Sequence, residues 1–134
     1  MVTHIISTEF ILYVHDQEKS MQCYSQLLRR APALHVPGLT EFQISEQIKL
    51  GLMPNVGIAK IIQESLPHPQ EGTGIPRCEC YFTVEDVSLE FEHALSCGAQ
   101  LISPIEERDW GARVCYFADP DGHILAFAQQ IDID

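Results

Sequence analysis

The sequence has few basic residues and no long apolar run. Lysine and arginine together number 8 against 19 aspartates and glutamates, so the formal net charge is −11. A field of that sign repels phosphate backbones and anionic lipid headgroups. No apolar run reaches the ~20 residues that a membrane-spanning helix needs. We therefore expect neither a nucleic acid nor a membrane as partner.

The sequence also lacks a disulfide framework, a secretory leader and a glycine-rich phosphate loop. Its five cysteines are odd in number and follow no framework spacing, which indicates reduced, mostly buried thiols. The pair Cys78 and Cys80 would share one face of a strand, but a zinc site needs about four ligands and no second pair exists. Because no charged and then apolar leader opens the chain, we expect a cytoplasmic protein.

A length of 134 residues with 46% apolar and 20% charged residues predicts one globular domain. The charge is uneven, since residues 71–134 hold three basic and thirteen acidic side chains and so carry most of the negative charge. Such a balance favours a cationic ligand, or else it is a solubilising surface.

Two stretches of the chain predict the same order of elements. In the first, a strand-like run at residues 8–14 is followed by the helix cap Asp16, a helix over 17–29 and strands near 33–36, 41–45 and 48–53. In the second, a strand at 78–84 is followed by Asp86, a helix over 87–97 and strands at 99–105, 111–118 and 122–129. Residues 54–76 are rich in proline and glycine, which makes a continuous element there improbable.

The two stretches align at an offset of 70 residues. Glutamate, valine and aspartate recur in register, as Glu9, Val14 and Asp16 and as residues 79, 84 and 86. The sequence therefore predicts an α+β fold of two βαβββ modules. We place module one at about 8–53, a connector at about 54–76 and module two at about 77–130.

Two further segments carry a family resemblance. Residues 110–113 (Trp-Gly-Ala-Arg) and 119–123 (Asp-Pro-Asp-Gly-His), together with the paired units, resemble the vicinal oxygen chelate superfamily of glyoxalase, bleomycin-resistance and extradiol-dioxygenase proteins. The resemblance covers nearly the whole chain. It implies a single glyoxalase/bleomycin-resistance-like domain with curved mixed sheets around a cleft, usually completed in a homodimer.

The resemblance also implies where a metal would bind. In metal-dependent members four positions point into the cleft, and they map to Glu9, Gly51, Glu79 and Ala126. Only the two glutamates have a side chain that can ligate, whereas such sites hold a divalent ion with about three or four side chains. We therefore expect a degraded metal site and no cofactor, and we disfavour a divalent metal.

Strand alternation and the resemblance together select candidate ligand-binding residues. Alternation places Glu9, Ile11 and Tyr13 on one face, and Glu79 with Tyr81 on the equivalent face. Simple pairing across the turn at residues 119–122 would set Phe117 opposite Ile124 and Arg113 opposite Ala128, on the cleft side. Gly51 and Ala126 would leave empty volume. The predicted set is Glu9, Ile11, Tyr13, Gly51, Glu79, Tyr81, Trp110, Arg113, Phe117 and Ala126, although the aromatic residues could instead pack the core.

Two functional hypotheses follow. In the first, the protein binds a small organic molecule, aromatic or cationic, and sequesters it in a dimer cleft without a metal. In the second, it is an enzyme: either a metal-dependent lyase or isomerase related to lactoylglutathione lyase, or a metal-free catalyst that uses Glu79 or Glu9 as general base. A dimer without a pocket and with a structural or regulatory role is the remaining alternative.

Overall fold

The computed structural model describes residues 4–131, which form two compact units. The first unit ends at Thr73 and the second begins at Gly74. Each contains one four-stranded mixed sheet and the element order βαβββ, so the predicted α+β class with two such modules is confirmed. Within residues 4–131, none of the helices combines the length and the apolar character that crossing a bilayer requires.

The first unit is built around a four-stranded sheet with the first strand of the chain at one edge. The elements are β1 (Thr8–Val14), α1 (Gln17–Leu28), β2 (Leu34–Val36), β3 (Leu39–Ser45), β4 (Ile48–Pro54), α2 (Asn55–Ile62) and a short 3-10 helix at Pro69–Gly72. The strand order is β1-β4-β3-β2, with β1 parallel to β4 and the other pairs antiparallel.

Helix α1 begins and ends as its sequence predicts. The Asp16 side chain accepts a hydrogen bond from the Lys19 backbone N–H at 3.0 Å, which satisfies one of the free donors of the first turn. Arg29 has a left-handed backbone, φ 53°, and terminates the helix. Tyr24 is fully buried and packs against Phe42 of β3, with ring centroids 6.5 Å apart. One face of this sheet is therefore covered by α1.

The second unit has the corresponding sheet. The elements are β5 (Glu79–Thr83), α3 (Val87–Ser96), β6 (Gln100–Arg108), β7 (Ala112–Ala118) and β8 (Ile124–Gln130). The strand order is β5-β8-β7-β6, and β5 runs parallel to β8 at the edge. Phe91 of α3 packs on Phe117, with ring centroids 5.8 Å apart, and Phe117 packs on Phe127 at 6.4 Å.

The turn between β7 and β8 is held by one carboxylate. Asp119 accepts hydrogen bonds from the backbone N–H groups of Asp121 and His123, each at 2.9 Å, and its own N–H donates to the His123 carbonyl. Gly122 has φ +90°, and a Cβ there would come within 2.9 Å of the Gly74 backbone. Glycine is therefore required at this position for both conformation and space.

The expectation that residues 54–76 hold no continuous regular element is wrong, because α2 occupies Asn55–Ile62. Pro54 precedes the helix, where its missing N–H costs no intrahelical hydrogen bond. Gly57 lies inside the helix, yet a Cβ there would make only an ordinary contact, 3.7 Å from Met53 Cγ. The predicted bounds of the two modules and of the connector between them stay a prediction.

Candidate functional site

One face of the first unit's sheet carries four of the predicted residues. Glu9, Ile11 and Tyr13 alternate along β1, and Gly51 of β4 lies opposite Ile11. A Cβ at Gly51 would collide with the Glu9 carboxylate and would lie 3.1 Å from Ile11 Cγ1. The expectation of empty volume at Gly51 is therefore wrong, because the Glu9 carboxylate occupies it.

A second carboxylate lies beside Glu9. Glu41 of β3 is opposite Gly51 and hydrogen-bonds Glu9, and Lys49 Nζ is 3.5 Å from Glu41 Oε1. Two carboxyl groups can form that bond only when one of them is protonated. We call Glu9, Ile11, Tyr13, Glu41 and Gly51 the carboxyl face.

The two carboxyl groups titrate in opposite directions. Burial, followed by the hydrogen bond and charge of Glu41, raises the pKa of Glu9 to about 7, and Lys49 offsets part of this rise. The hydrogen bond from Glu9, with help from Lys49, lowers the pKa of Glu41. Glu9 therefore holds the shared proton below neutral pH and can release it near neutral pH, as a general acid or base requires.

Sequence reasoning missed Glu41 because of a bulge. The β3–β4 hairpin pairs Ser45 with Ile48, and counting outward from that pair sets Phe42 opposite Gly51. The register shifts between Gln43 and Ser45, so that Glu41 takes this place instead. A bulge turns every later side chain to the other face. The alternation of Glu41 with the apolar Phe42 was the only available signal.

Three of the other predicted residues, Glu79, Tyr81 and Ala126, lie on one sheet face of the second unit, and Trp110 lies beside Tyr81. Tyr81 of β5 lies opposite Ala126 of β8, which in turn lies opposite Tyr116 of β7. Glu79 lies two residues before Tyr81 on the same face and is exposed. We call Glu79, Tyr81, Trp110, Tyr116 and Ala126 the aromatic face.

The aromatic face borders a cavity of about 450 Å³. Trp110 and Tyr81 are exposed by 60% and 42%, and the Trp110 indole N–H donates to the Tyr81 hydroxyl at 2.9 Å. Ala112 and Ala128 line the cavity and are buried. The lining residues are Tyr81, Thr83, Trp110, Gly111, Ala112, Ala128, Gln130 and Ile131. Two rings, a hydroxyl and an amide thus surround a space of small-molecule size.

Tyr116 and Arg108 are the aromatic-face neighbours that sequence reasoning did not select. The Arg108 guanidinium lies over the Tyr116 ring, 5.4 Å from its centroid. It also donates to Ser103 Oγ at 3.0 Å and lies 3.5 Å from Glu106. Burial is the main cause of the raised pKa of Tyr116. The Arg108 guanidinium thus places one positive charge beside the aromatic face, which also contains the acidic Glu79.

Two predicted site residues, Phe117 and Arg113, lie on the wrong side of the second sheet. The predicted pairing is wrong by one residue: Ala118, not Phe117, is opposite Ile124, and Val114, not Arg113, is opposite Ala128. Because side chains alternate, this shift turns Phe117 towards Phe91 of α3, where it is fully buried. Arg113 is exposed and pairs with Gln129.

The residues present do not fit a divalent metal held by three or four side chains. Of the four mapped positions, Gly51 and Ala126 offer no donor, and within residues 4–131 no cluster of three His, Cys, Asp or Glu side chains is placed to hold an ion. Glu41 adds a carboxylate near Glu9, but two carboxylates are fewer than the three or four side chains that such a site needs. We therefore derive no chemistry through a metal.

A cavity of about 490 Å³ lies in the first unit, at the start of α1. Its polar groups are largely bound to each other: the Gln17 amide nitrogen donates to the Val36 carbonyl and to Thr40 Oγ1. The two His35 ring nitrogens contact Thr40 Oγ1 at 2.7 Å and Glu18 Oε2 at 2.9 Å. These bonds fasten the β2–β3 turn to α1, and we assign this cavity no ligand.

Comparison with known proteins gives relatives over most of the chain. An uncharacterized protein of Mycobacterium bovis is 37% identical over 123 residues, which are 90% of this chain and 80% of the relative. An uncharacterized protein of Bacillus subtilis is 26% identical over 117 residues, 85% of this chain and 90% of the relative.

Solved structures share the fold. A glyoxalase/bleomycin resistance protein/dioxygenase from Nocardioides superposes with a TM-score of 0.80 at 21% identity, covering 100% of this chain and 89% of that one. A glyoxalase-related enzyme from Fulvimarina pelagi gives 0.78 at 21% identity, covering 96% and 89%. Residues 8–132 match the glyoxalase-like domain family. With these matches and its two βαβββ units, the chain belongs to the glyoxalase-like domain family of the vicinal oxygen chelate superfamily.

Proposed function

We propose that this protein binds a small organic molecule with a planar ring and a positive charge, and that it does so without a divalent metal. The observation that carries the proposal is the cavity beside the hydrogen-bonded pair Tyr81 and Trp110. Large exposed aromatic side chains next to a concave surface are typical of ligand sites, because stacking and burial of the rings stabilise the complex.

The charge preference follows from the surroundings of that cavity. Glu79 lies on the same strand face as Tyr81, and the chain carries a formal net charge of −11. A cation over an aromatic face gains about 0.5–2 kcal/mol. The Arg108 guanidinium already lies over Tyr116, so we place the ligand's cation near Tyr81 and Trp110.

A matched ligand series tests this proposal. Trp110 is the only tryptophan, so its fluorescence reports directly on the cavity. We expect 1-naphthylmethylamine to bind more tightly than 1-naphthalenemethanol, and 1-naphthoate to bind least, since the three share one ring system and differ in charge. Equal affinity for all three, or the reverse order, would contradict the charge preference.

Two alanine substitutions test whether the ligand binds in the cavity beside Tyr81 and Trp110. Tyr81→Ala should weaken binding of 1-naphthylmethylamine about fivefold or more, because a stacking ring contributes about 1–3 kcal/mol. Leu89→Ala removes a comparably exposed apolar side chain from α3 and should leave affinity unchanged. Unchanged binding by Tyr81→Ala, measured by calorimetry, would mean that the ligand lies elsewhere.

A second candidate function is metal-free acid–base catalysis at the carboxyl face. The observation that favours it is the raised pKa of Glu9, to about 7, beside Glu41. Of the two predicted general bases, Glu9 and Glu79, the raised pKa favours Glu9. For any substrate found, Glu9→Gln should abolish turnover and Glu79→Gln should preserve it. Turnover that survives Glu9→Gln would reject this function.

The assembly and the compartment are also part of the proposal. We propose a homodimer, from the family resemblance, and a cytoplasmic location, supported by five cysteines that are all reduced. Light scattering on the purified chain should give about twice the monomer mass of 15.1 kDa. A monomer at micromolar concentration would contradict the dimer.

A further inference from the structure

Two thiols lie side by side at the start of β5. Cys78 immediately precedes the strand, and its carbonyl accepts a hydrogen bond from the Ile124 N–H at 3.0 Å, so it continues the ladder. Cys80 is the second residue of β5 and lies opposite Leu125. Residues two apart on extended backbone point to the same side, here the side that α3 covers and not the aromatic face.

The two thiols differ in exposure. Cys78 is exposed and Cys80 is half-buried, and both are reduced. Burial, followed by the neighbouring Cys78 and the carboxylates Asp119 and Glu79, raises the pKa of Cys80 to about 12. Because Cys78 is exposed, a reagent can reach the start of β5 from solvent.

The spacing favours a bridging atom over a direct disulfide. Two residues along a strand separate the Cα atoms by about 6.6–6.8 Å, the upper end of the range in which a disulfide forms without strain. A third atom between the sulfurs relieves that constraint. Zinc would need about four ligands, and residues 4–131 bring no third side-chain donor into such a cluster.

We propose that Cys78 and Cys80 form a dithiol site for a soft, low-coordinate thiophilic centre, of which a trivalent arsenical is the chemical class. Soft centres select sulfur ligands, and two sulfurs on one strand face act as a chelate. This site is separate from the proposed ligand cavity and does not depend on it.

The binding step balances without a redox partner. With phenylarsine oxide, two As–S bonds form and the bond between arsenic and oxygen breaks. The oxygen leaves as water and takes both thiol protons. Because the reagent's oxygen accepts those protons, the high pKa of Cys80 does not prevent the reaction.

Phenylarsine oxide is also the probe. Added to the reduced full-length protein, it should give one phenylarsenic adduct per chain by intact mass and should block alkylation of Cys78 and Cys80 together. Cys78→Ser should weaken adduct formation at least tenfold, because a single thiol cannot chelate. Cys97→Ser, which changes a half-buried thiol beside His93, is the matched control and should behave as wild type.

Two results would overturn the proposal. One is an adduct that forms equally well in Cys78→Ser. The other is alkylation of Cys78 and Cys80 that proceeds unchanged in the presence of the arsenical. Binding of the naphthyl ligands by Cys78→Ser should equal that of wild type, so a failure here is distinguishable from a failure of the proposed function.

Discussion

The two units share one topology and use equivalent strand positions differently. Glu9 of β1 lies opposite Lys49, and its carboxylate fills the space above Gly51 beside Glu41. Glu79 of β5 lies opposite Ile124 and is exposed, on the face whose cavity is bordered by aromatic rings. The first unit thus has a carboxyl group with a raised pKa, Glu9, whereas the second unit has aromatic side chains beside a cavity. The two environments differ both in the edge strand, where Tyr81 lies on β5, and in the neighbouring strands, which supply Glu41 from β3 and Tyr116 from β7.

The largest expected effect on stability is at Gly51. We expect Gly51→Ala to lower the free energy of unfolding by about 1–3 kcal/mol, because the added methyl group collides with Glu9 and crowds Ile11. Denaturant unfolding measures this. The matched control is Gly57→Ala, where the added carbon would make only an ordinary van der Waals contact. Because alanine also favours a helix more than glycine does, this substitution should not lower the free energy of unfolding.

A double substitution tests whether the Glu9 carboxylate is the main obstacle to a side chain at position 51. In a Glu9→Ala background, Gly51→Ala should cost less than in wild type, because the main obstacle is gone. Equal costs in both backgrounds would mean that Glu9 does not occupy the space above Gly51.

The second-largest expected effect is a pH dependence of the free energy of unfolding that arises from two carboxyl groups of the first unit, Glu9 and Glu41. Unfolded, the Glu9 carboxyl releases its proton near its ordinary pKa of 4.5, whereas the folded protein retains it to about 7. The folded state therefore binds more protons in this window, and stability falls as pH rises through it. The lowered pKa of Glu41 acts below 4.5, where stability is lost as pH falls.

We expect the free energy of unfolding to fall by about 1–2 kcal/mol between pH 5 and pH 8 because of Glu9, after allowance for partial solvent screening. Glu9→Gln should remove that part of the slope, as measured by denaturant unfolding at each pH. Glu79→Gln in the second unit serves as control. An identical slope in wild type and Glu9→Gln would contradict the shared proton.

The smallest effect concerns the aromatic pair. Tyr81→Phe retains the ring and removes the hydroxyl that accepts the Trp110 N–H. We expect less than about 1 kcal/mol in stability, since the bond is exposed, and a loss of affinity for 1-naphthylmethylamine of only a few-fold. If Tyr81→Phe were as damaging as Tyr81→Ala, the hydroxyl and not the ring would recognise the ligand.

The sequence predicted elements far better than registers. Period and capping residues placed β1 and α1 within one residue, because Asp16 and the alternating apolar side chains are local signals. The face of Phe117 depends on how many residues the Asp119 turn uses, and the place of Glu41 depends on a bulge. Both are set by hydrogen bonds between strands, which no local pattern records.

We propose that the aromatic face binds an organic ligand without the help of a divalent ion. Titration of 1-naphthylmethylamine, followed by Trp110 fluorescence, should be done in excess EDTA and again with manganese or zinc added. We expect the same dissociation constant for 1-naphthylmethylamine in all three conditions. Binding that disappears in EDTA and returns with the metal would contradict it.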